Sequence, residues 1–509
     1  MLMKKYLCFS LFFVSHRLFA ALSFLFLVII LLPLSACTNP SPSPTTTSPT
    51  IPLNDCILTA SGSDTQIDAQ CGTLTVYENP ATQTGRQIDL HLAVLPAISR
   101  SPAPDPLFFL AGGPGQAATE SFMLLRRAFL DINRERDIVL VDQRGTGKSH
   151  PLRCEFPIDG EAEDSAAQLA PQLESCLTQL DADPTLYTTA IAMQDLDQVR
   201  VALGYEQINL YGVSYGTRAA LTYLHMYPTH VRTLILDGVV PQQLALGLDV
   251  AADAQHALDL IFARCADDPI CAEHFPDLPT RFDEILTMLD AAPVPVRVAD
   301  PLSGEWRTLD FTREMFAVII RFYSYSSETV ALIPLLISTA QEDYTRLAAQ
   351  YLILTTDLNA SMNNAMGYSV QCAEDMPFFT DKQATQVAQS TYLGAMVSSG
   401  LLEICKTWPV GSIPADFKTP VQADVPVLML SGEYDPVTPP KYAELAAQTL
   451  PNSLQLVAPG QGHNIIARGC LPDIVEQFID NGTIQGLDTA CVNDIEPSPF
   501  FINFSGPMP

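Results

Sequence analysis

The stretch INLYGVSYGT at 208–217 constrains the fold more than any other part of the chain. Apolar residues run into Gly212-Val213-Ser214-Tyr215-Gly216, and a helical pattern continues over 217–227. A serine between two glycines at this spacing, between a strand and a helix, reads as a nucleophile elbow. Side chains at 212 and 216 would collide with the neighbouring helix and strand. The tight turn lifts the Ser214 hydroxyl clear of the backbone at a helix N-terminus, where aligned amides favour developing negative charge.

The rest of the chain suits that local structure. Short apolar runs at 107–110, 138–141, 208–211, 234–236, 425–430 and 454–457 have the length of buried strands, and helical patterns lie between most of them. That alternation predicts an α/β fold, a mostly parallel central sheet with helices on both faces. Residues 72–77 and 87–95 alternate more clearly and read as an antiparallel opening pair. Strand runs thin out from Pro241 to about Pro420. Helical stretches at 243–265, 281–289, 312–323 and 332–351 dominate there, as in a helical cap inserted over a catalytic sheet.

A serine nucleophile needs a base, and the base needs an orienting carboxylate, in the chain order Ser, acid, His. Of the eight histidines only His463 follows the last strand candidates, in the Gly-rich loop VAPGQGHN. The loop after 425–430 offers Asp435, with Glu433 as the fallback acid. A carboxylate there can reach His463 Nδ1 and hold its tautomer. Oxyanion donors are expected from the backbone of Tyr215 and of Gly113, in the LAGGPGQ loop after the first core strand. VDQRGTGKS at 141–149 is not a phosphate loop: Asp142 stands where the motif requires glycine. Asp142 and Arg144 are expected to brace the rim of the site.

The N-terminus sets the compartment. The first 36 residues hold no Asp or Glu, carry Lys4, Lys5 and Arg17, and end in an apolar run followed by Leu34-Ser35-Ala36-Cys37. That pattern predicts a secretory signal with a lipidated Cys37. A Pro/Ser/Thr tether follows to residue 52. The expected organisation is signal peptide 1–36, lipidated cysteine and linker 37–52, core 53–241, helical cap 242–420, and core 421–509. Ten cysteines remain after Cys8 and Cys37, an even number in an exported chain, which favours disulfides. Neighbour pairing (56–71, 154–176, 265–271, 372–405, 470–491) gives short local loops. Cys271 and His274 have a metal-ligand spacing but no second ligand pair, so no metal or organic cofactor is expected. The chain has 27 Lys+Arg against 56 Asp+Glu, which disfavours nucleic acid as a partner.

In the order GGPG (112–115), DQRGTGKS (142–149), GVSYG (212–216), GEYDPVTP (432–439) and GQGH (460–463), the sequence resembles the α/β-hydrolase family of proline iminopeptidases and bacterial tripeptidyl aminopeptidases. Cys405, Trp408-Pro409 and Asp435 resemble the tripeptidyl-aminopeptidase C-terminal region. Ala111 stands where proline iminopeptidases usually carry histidine. The resemblance implies an α/β-hydrolase fold with a cap, peptide substrates with free N-termini, and Ser214, Asp435 and His463 as nucleophile, orienter and base. An aminopeptidase must also hold an α-ammonium, for which a cap carboxylate is expected, with Glu374 and Asp375 as candidates. An esterase on the same scaffold is the alternative, since fold and triad do not separate the two. A non-catalytic binding protein is disfavoured by the complete set of catalytic residues.

Overall fold

The computed structural model describes residues 51–59, 65–155, 165–301, 303–340 and 343–507. The signal segment, Cys37 and nearly all of the tether lie outside them. Nine strands form one sheet. They are β1 (Asn54–Thr59), β2 (Gln66–Tyr77), β3 (Gln87–Leu95), β4 (Leu107–Leu110), β5 (Ile138–Val141), β6 (Ile208–Val213), β7 (Val231–Asp237), and, after a two-strand hairpin of β8 (Val294–Ala299) and β9 (Trp306–Phe311), β10 (Val427–Gly432) and β11 (Ser453–Ala458). The sheet order is β1-β2-β3-β5-β4-β6-β7-β10-β11. From β5 to β11 all neighbours are parallel, while β1, β2 and β3 are antiparallel.

The central strands are short and apolar because both of their faces are covered. Every residue of β4, β5, β6 and β10 is buried. Alternate residues point to opposite faces. Phe108 and Leu210 join the core under the helices Thr189–Leu203, Tyr215–Met226 and Pro440–Ala447. Phe109 and Tyr211 stack at 5.4 Å on the other face, under Ala118–Leu125 and Leu471–Asn481.

Between β7 and β10 the described residues form ten α-helices, most of which share a core in which Leu258, Ile261, Phe282, Ile285 and Phe316 are buried. The helical pattern expected over 332–351 is divided between two helices, Ile333–Ala340 and Thr345–Ser361. The hairpin β8–β9 interrupts this block and was not legible in the sequence: its first strand carries Pro295, which argues against a strand, and five of its twelve residues are exposed. The helical block bonds to the rest of the chain at several places, and two of these seams border the site. Asn363 donates from both its backbone N and its Nδ2 to Gly115 O, each at 2.9 Å. His463 N donates to Tyr325 O at 2.8 Å.

The five disulfides are those of neighbour pairing: Cys56–Cys71, Cys154–Cys176, Cys265–Cys271, Cys372–Cys405 and Cys470–Cys491. Cys271 is therefore held by Cys265, and its thiol is not available beside His274. Among the described residues no helix is long and apolar enough to cross a membrane.

Candidate active site

Ser214 sits between β6 and the helix Tyr215–Met226 with φ 55° and ψ −124°, a sparsely populated region for a residue with a Cβ. Such a conformation costs on the order of 1–3 kcal/mol and persists only where the surroundings enforce it. The enforcement is visible. A Cβ at Gly212 would lie 2.3 Å from Gly216 O, and one at Gly216 would lie 2.2 Å from Leu110 O. Helix, β6 and β4 therefore meet at distances that only glycine permits. Ser214 N donates to Asp237 O at 2.8 Å, which ties the turn to the end of β7.

Asp435 follows β10. His463 Nδ1 donates to Asp435 Oδ2 at 2.8 Å. A carboxylate is acceptor-only, so this bond leaves Nε2 as the unprotonated nitrogen of the neutral ring. Asp435 Oδ1 accepts from Val437 N and Thr438 N, both at 2.8 Å, and Thr438 Oγ1 donates to Oδ2 at 2.7 Å. Thr438 Oγ1 is also 3.1 Å from His463 Nδ1. Burial opposes the charged forms, but the two partners outweigh it. The Asp435 carboxyl is held below its ordinary range, and His463 sits above the ordinary histidine value. Glu433, the fallback acid, instead accepts from Gly460 N at 2.8 Å and fixes the start of the histidine loop.

Asp237 was not singled out in the sequence. It is fully buried at the end of β7, and accepts from Ile465 N at 2.9 Å, Ile466 N at 3.0 Å and Tyr211 Oη at 2.8 Å. It anchors the chain two residues beyond His463 to the sheet. Burial pushes its carboxyl above the usual range against those three donors. Its only sequence signal is an aspartate closing an apolar strand, directly before Gly238.

Gly112 and Gly113 border the same space; a Cβ on Gly112 would lie 3.2 Å from Ser214 Cβ. Tyr215 opens its helix, so its N–H has no intrahelical acceptor. Tyr215 thus follows Ser214 directly, and Gly113 lines the same cavity. The Tyr215 side chain points into the core, where its hydroxyl meets Gln143 Nε2 at 3.1 Å and Thr189 Oγ1 at 2.6 Å. Asp142 accepts from Thr119 N, Thr119 Oγ1 and Lys148 N. Arg144 is fully buried, paired with Asp195 at 2.6 Å and bonded to Glu78 O and Leu186 O. Both residues brace the fold behind the site.

Ser214, His463, Gly112 and Gly113 line one cavity of about 670 Å³. Its walls are mostly apolar, with Leu246, Val250, Leu358, Leu401 and Ile404, and its polar wall residues include Arg321 and Gln371. That volume suits a peptide-sized ligand. Glu374 and Asp375 do not line it. Both are fully buried. Glu374 accepts from Thr189 N at 2.6 Å and Thr189 Oγ1 at 2.8 Å. Asp375 pairs with Arg218 at 2.7 Å and Lys418 at 3.1 Å. The expectation that these two carboxylates hold the substrate amine does not fit the geometry: neither lines the cavity, Glu374 is engaged by Thr189, and Asp375 Oδ1 is engaged by Arg218, Lys418 and Leu246 N, while Asp375 Oδ2 has no partner among the described residues. The helix that carries Glu374, Asn364–Glu374, does face the cavity, but through Tyr368 and Gln371.

Two family models match the chain, one for the alpha/beta hydrolase fold over residues 105–265 and one for TAP-like protein over 390–491. The fold is thus that of an α/β hydrolase, as the strand order also indicates. The chain is 25% identical over 472 residues to serine protease Hip1 of Mycobacterium tuberculosis (strain ATCC 25618 / H37Rv), covering 83% of this chain and 87% of the relative. It is 26% identical over 466 residues to a tripeptidyl aminopeptidase of Streptomyces lividans, covering 84% and 85%. A carboxylesterase B of Mycobacterium tuberculosis (strain CDC 1551 / Oshkosh) is 26% identical over 461 residues, covering 83% and 86%.

Proposed function

We propose that this chain, an α/β hydrolase with a TAP-like C-terminal part, is an exported serine aminopeptidase that releases N-terminal residues or tripeptides through an acyl-enzyme. The observation that carries this reading is the meeting of a strained Ser214, the His463–Asp435 pair and the Gly112–Gly113 backbone at one cavity of about 670 Å³. The protease and tripeptidyl aminopeptidase relatives, aligned over more than four fifths of the chain, support peptides as the substrate class.

Ser214 Oγ attacks the scissile carbonyl while His463 Nε2 takes its proton. Asp435 stabilises the imidazolium that forms. The tetrahedral oxyanion lies against the N–H groups of Gly113 and Tyr215, where preorganised donors contribute several kcal/mol, roughly 3 for a single donor. His463 then gives the proton to the leaving amine, and water resolves the acyl-enzyme by the same route. In this reading the α-ammonium is met by a neutral acceptor of the cavity wall, with Gln371 as the candidate. Residues 1–36 act as the export signal, Cys37 carries the lipid, and the tether to residue 52 spaces the enzyme from the membrane. Residues 242–420 act as the cap that sets specificity.

One observation favours an esterase instead: no carboxylate lines the cavity among the described residues. A single experiment separates the two. The full chain is assayed on free-N-terminus tripeptide and single-residue chromogenic amides, their N-acetylated versions and a short-chain ester, with Ser214→Ala as control. Cleavage of free but not blocked amides, lost in the variant, is expected. Ester cleavage alone, indifferent to amino blocking, overturns the peptidase reading.

A further inference from the structure

Arg321 lies in the last turn of the helix Arg313–Tyr323 and lines the cavity of Ser214 and His463. Its Nε is buried with no hydrogen-bond acceptor, and no described carboxylate pairs with the guanidinium. The arginines that are buried outright are neutralised, among them Arg144 by Asp195, Arg218 by Asp375 and Arg136 by Asp105. A chain with 56 acidic residues does not lack partners. Arg321 is half-buried, with only its Nε shut off from solvent, and a guanidinium that lines a cavity without an anion of its own is open to one brought by a ligand.

The surroundings of Arg321 say which part of the ligand that is. Its guanidinium carbon lies 5.5 Å from the Phe322 ring centre and 5.8 Å from that of Tyr325. The Tyr325 ring stands edge-on to the His463 ring at 5.3 Å, and Tyr325 O holds His463 N. Arg321 therefore flanks the histidine. The histidine is the group that protonates the leaving amine, so its flank is where the leaving portion of a substrate passes. The Arg321 charge also disfavours the His463 imidazolium. An anion bound there would quench that opposition just when the proton arrives on the ring.

We infer that Arg321 is a subsite for a carboxylate on the leaving side of the scissile bond, so that the substrates are short peptides carrying such a carboxylate. This deepens the peptidase reading and rests on it. The carboxylate is either the peptide's own C-terminus or an acidic side chain just after the scissile bond. Arginine fits either through a two-pronged, charge-assisted contact.

The test measures kcat/KM of the full chain on short free-N-terminus alanine peptides ending in a carboxylate or in an amide. A second pair, both amidated, carries Asp or Asn after the scissile bond. The readout is the acid-to-neutral ratio within each protein, so loss of folded material does not shift it. The wild type is expected to favour the acid by roughly ten- to a hundred-fold, mainly through KM. The pair that shows the preference identifies the source of the carboxylate. Arg321→Gln should bring the ratio near one, and Arg321→Lys should leave it between. A wild-type ratio near one in both pairs, or one that survives in Arg321→Gln, overturns the proposal. Should no peptide be cleaved while an ester is, the peptidase reading fails separately. Inhibition of ester turnover by the same peptides then reads Arg321: stronger inhibition by the acids, lost in Arg321→Gln, supports the anion subsite, and equal inhibition overturns it.

Discussion

Replacing Asp237 by Asn tests whether the histidine loop is held in place by a buried charge. Asp237 accepts three bonds, with Oδ1 facing Ile465 N and Oδ2 facing both Ile466 N and Tyr211 Oη. An asparagine has one oxygen. Its better orientation keeps that oxygen on Ile466 and Tyr211 and turns its NH2 toward the Ile465 N–H. One buried backbone donor then loses its acceptor, at a cost of roughly 1–3 kcal/mol, partly offset because no charge is buried any longer. The strain falls two residues from His463, so kcat/KM on a free-N-terminus amide should drop roughly ten-fold or more, since small misplacements of a catalytic group are costly. The Asp237 charge also helps hold the His463 pKa up. Its removal should therefore move the acid limb of kcat/KM to lower pH, because the ring must be neutral to accept the Ser214 proton. The assay is a pH–rate profile from about pH 5 to 8 beside a thermal melt. Tyr211→Phe, which leaves both backbone bonds to Asp237 in place, should keep most of the activity. If Asp237→Asn lowers the melting temperature but leaves the rate and the acid limb at wild-type values, Asp237 only supports the sheet, and the positioning argument is wrong.

Three further outcomes are expected. The wild-type acid limb should lie above the ordinary histidine value of 6.5, and Asp435→Asn should lower kcat by roughly 10⁴ and shift that limb down; an unshifted limb would separate the limb from His463. The Cys372–Cys405 bridge closes a 33-residue separation and joins the helices Asn364–Glu374 and Met396–Thr407, both of which line the cavity. Paired Ser replacements should cost about 3–4 kcal/mol in a denaturant melt and raise KM, and an unchanged KM would show that the wall keeps its shape without the bridge. Glu374 is buried, and its carboxyl is pushed up to about 7 from 4.5, chiefly by burial. The raised folded value means that its contribution is most favourable below the unfolded pKa and is lost as pH rises through about 7, by an amount on the order of 3 kcal/mol. Glu374→Gln should flatten the stability profile across that window, and a wild-type slope in the variant would refute the assignment.

The sheet was legible in advance because its central strands are short apolar runs closed by glycine turns, and such runs have few other ways to be buried. The elbow was legible for a stricter reason: both glycines are demanded by backbone contacts near 2 Å. The sequence ranked Asp435 ahead of Glu433, because Pro436 and a new helix follow it, without excluding the glutamate. The two differ in which side of the loop they face, one toward His463 and the other toward Gly460. Strand β1 escaped because most of its residues are exposed and its apolar stretch is short. Glu374 and Gln371 are neighbours on one helix, yet only Gln371 borders the cavity while Glu374 is buried against Thr189, a difference that helical spacing does not reveal. Arg321 gave no signal in the sequence at all. An arginine at the end of an amphipathic helix is ordinary, and only the missing partner in three dimensions marks it.

The two seams of the helical block that border the site bear on how such enzymes diversify. Asn363 holds the backbone of the GGPG loop through Gly115, and Tyr325 holds the backbone of His463. The helices that shape the cavity thus also fix the stage on which bond breaking happens. Transplanting the block from one relative to another would not be a change of roof over an unchanged room. Unless the residues at both seams travel with it and match their hosts, a graft that installs a new preference also misplaces the machinery that was to act on it. Specificity on this scaffold is therefore more easily altered one wall residue at a time than by exchange of whole modules.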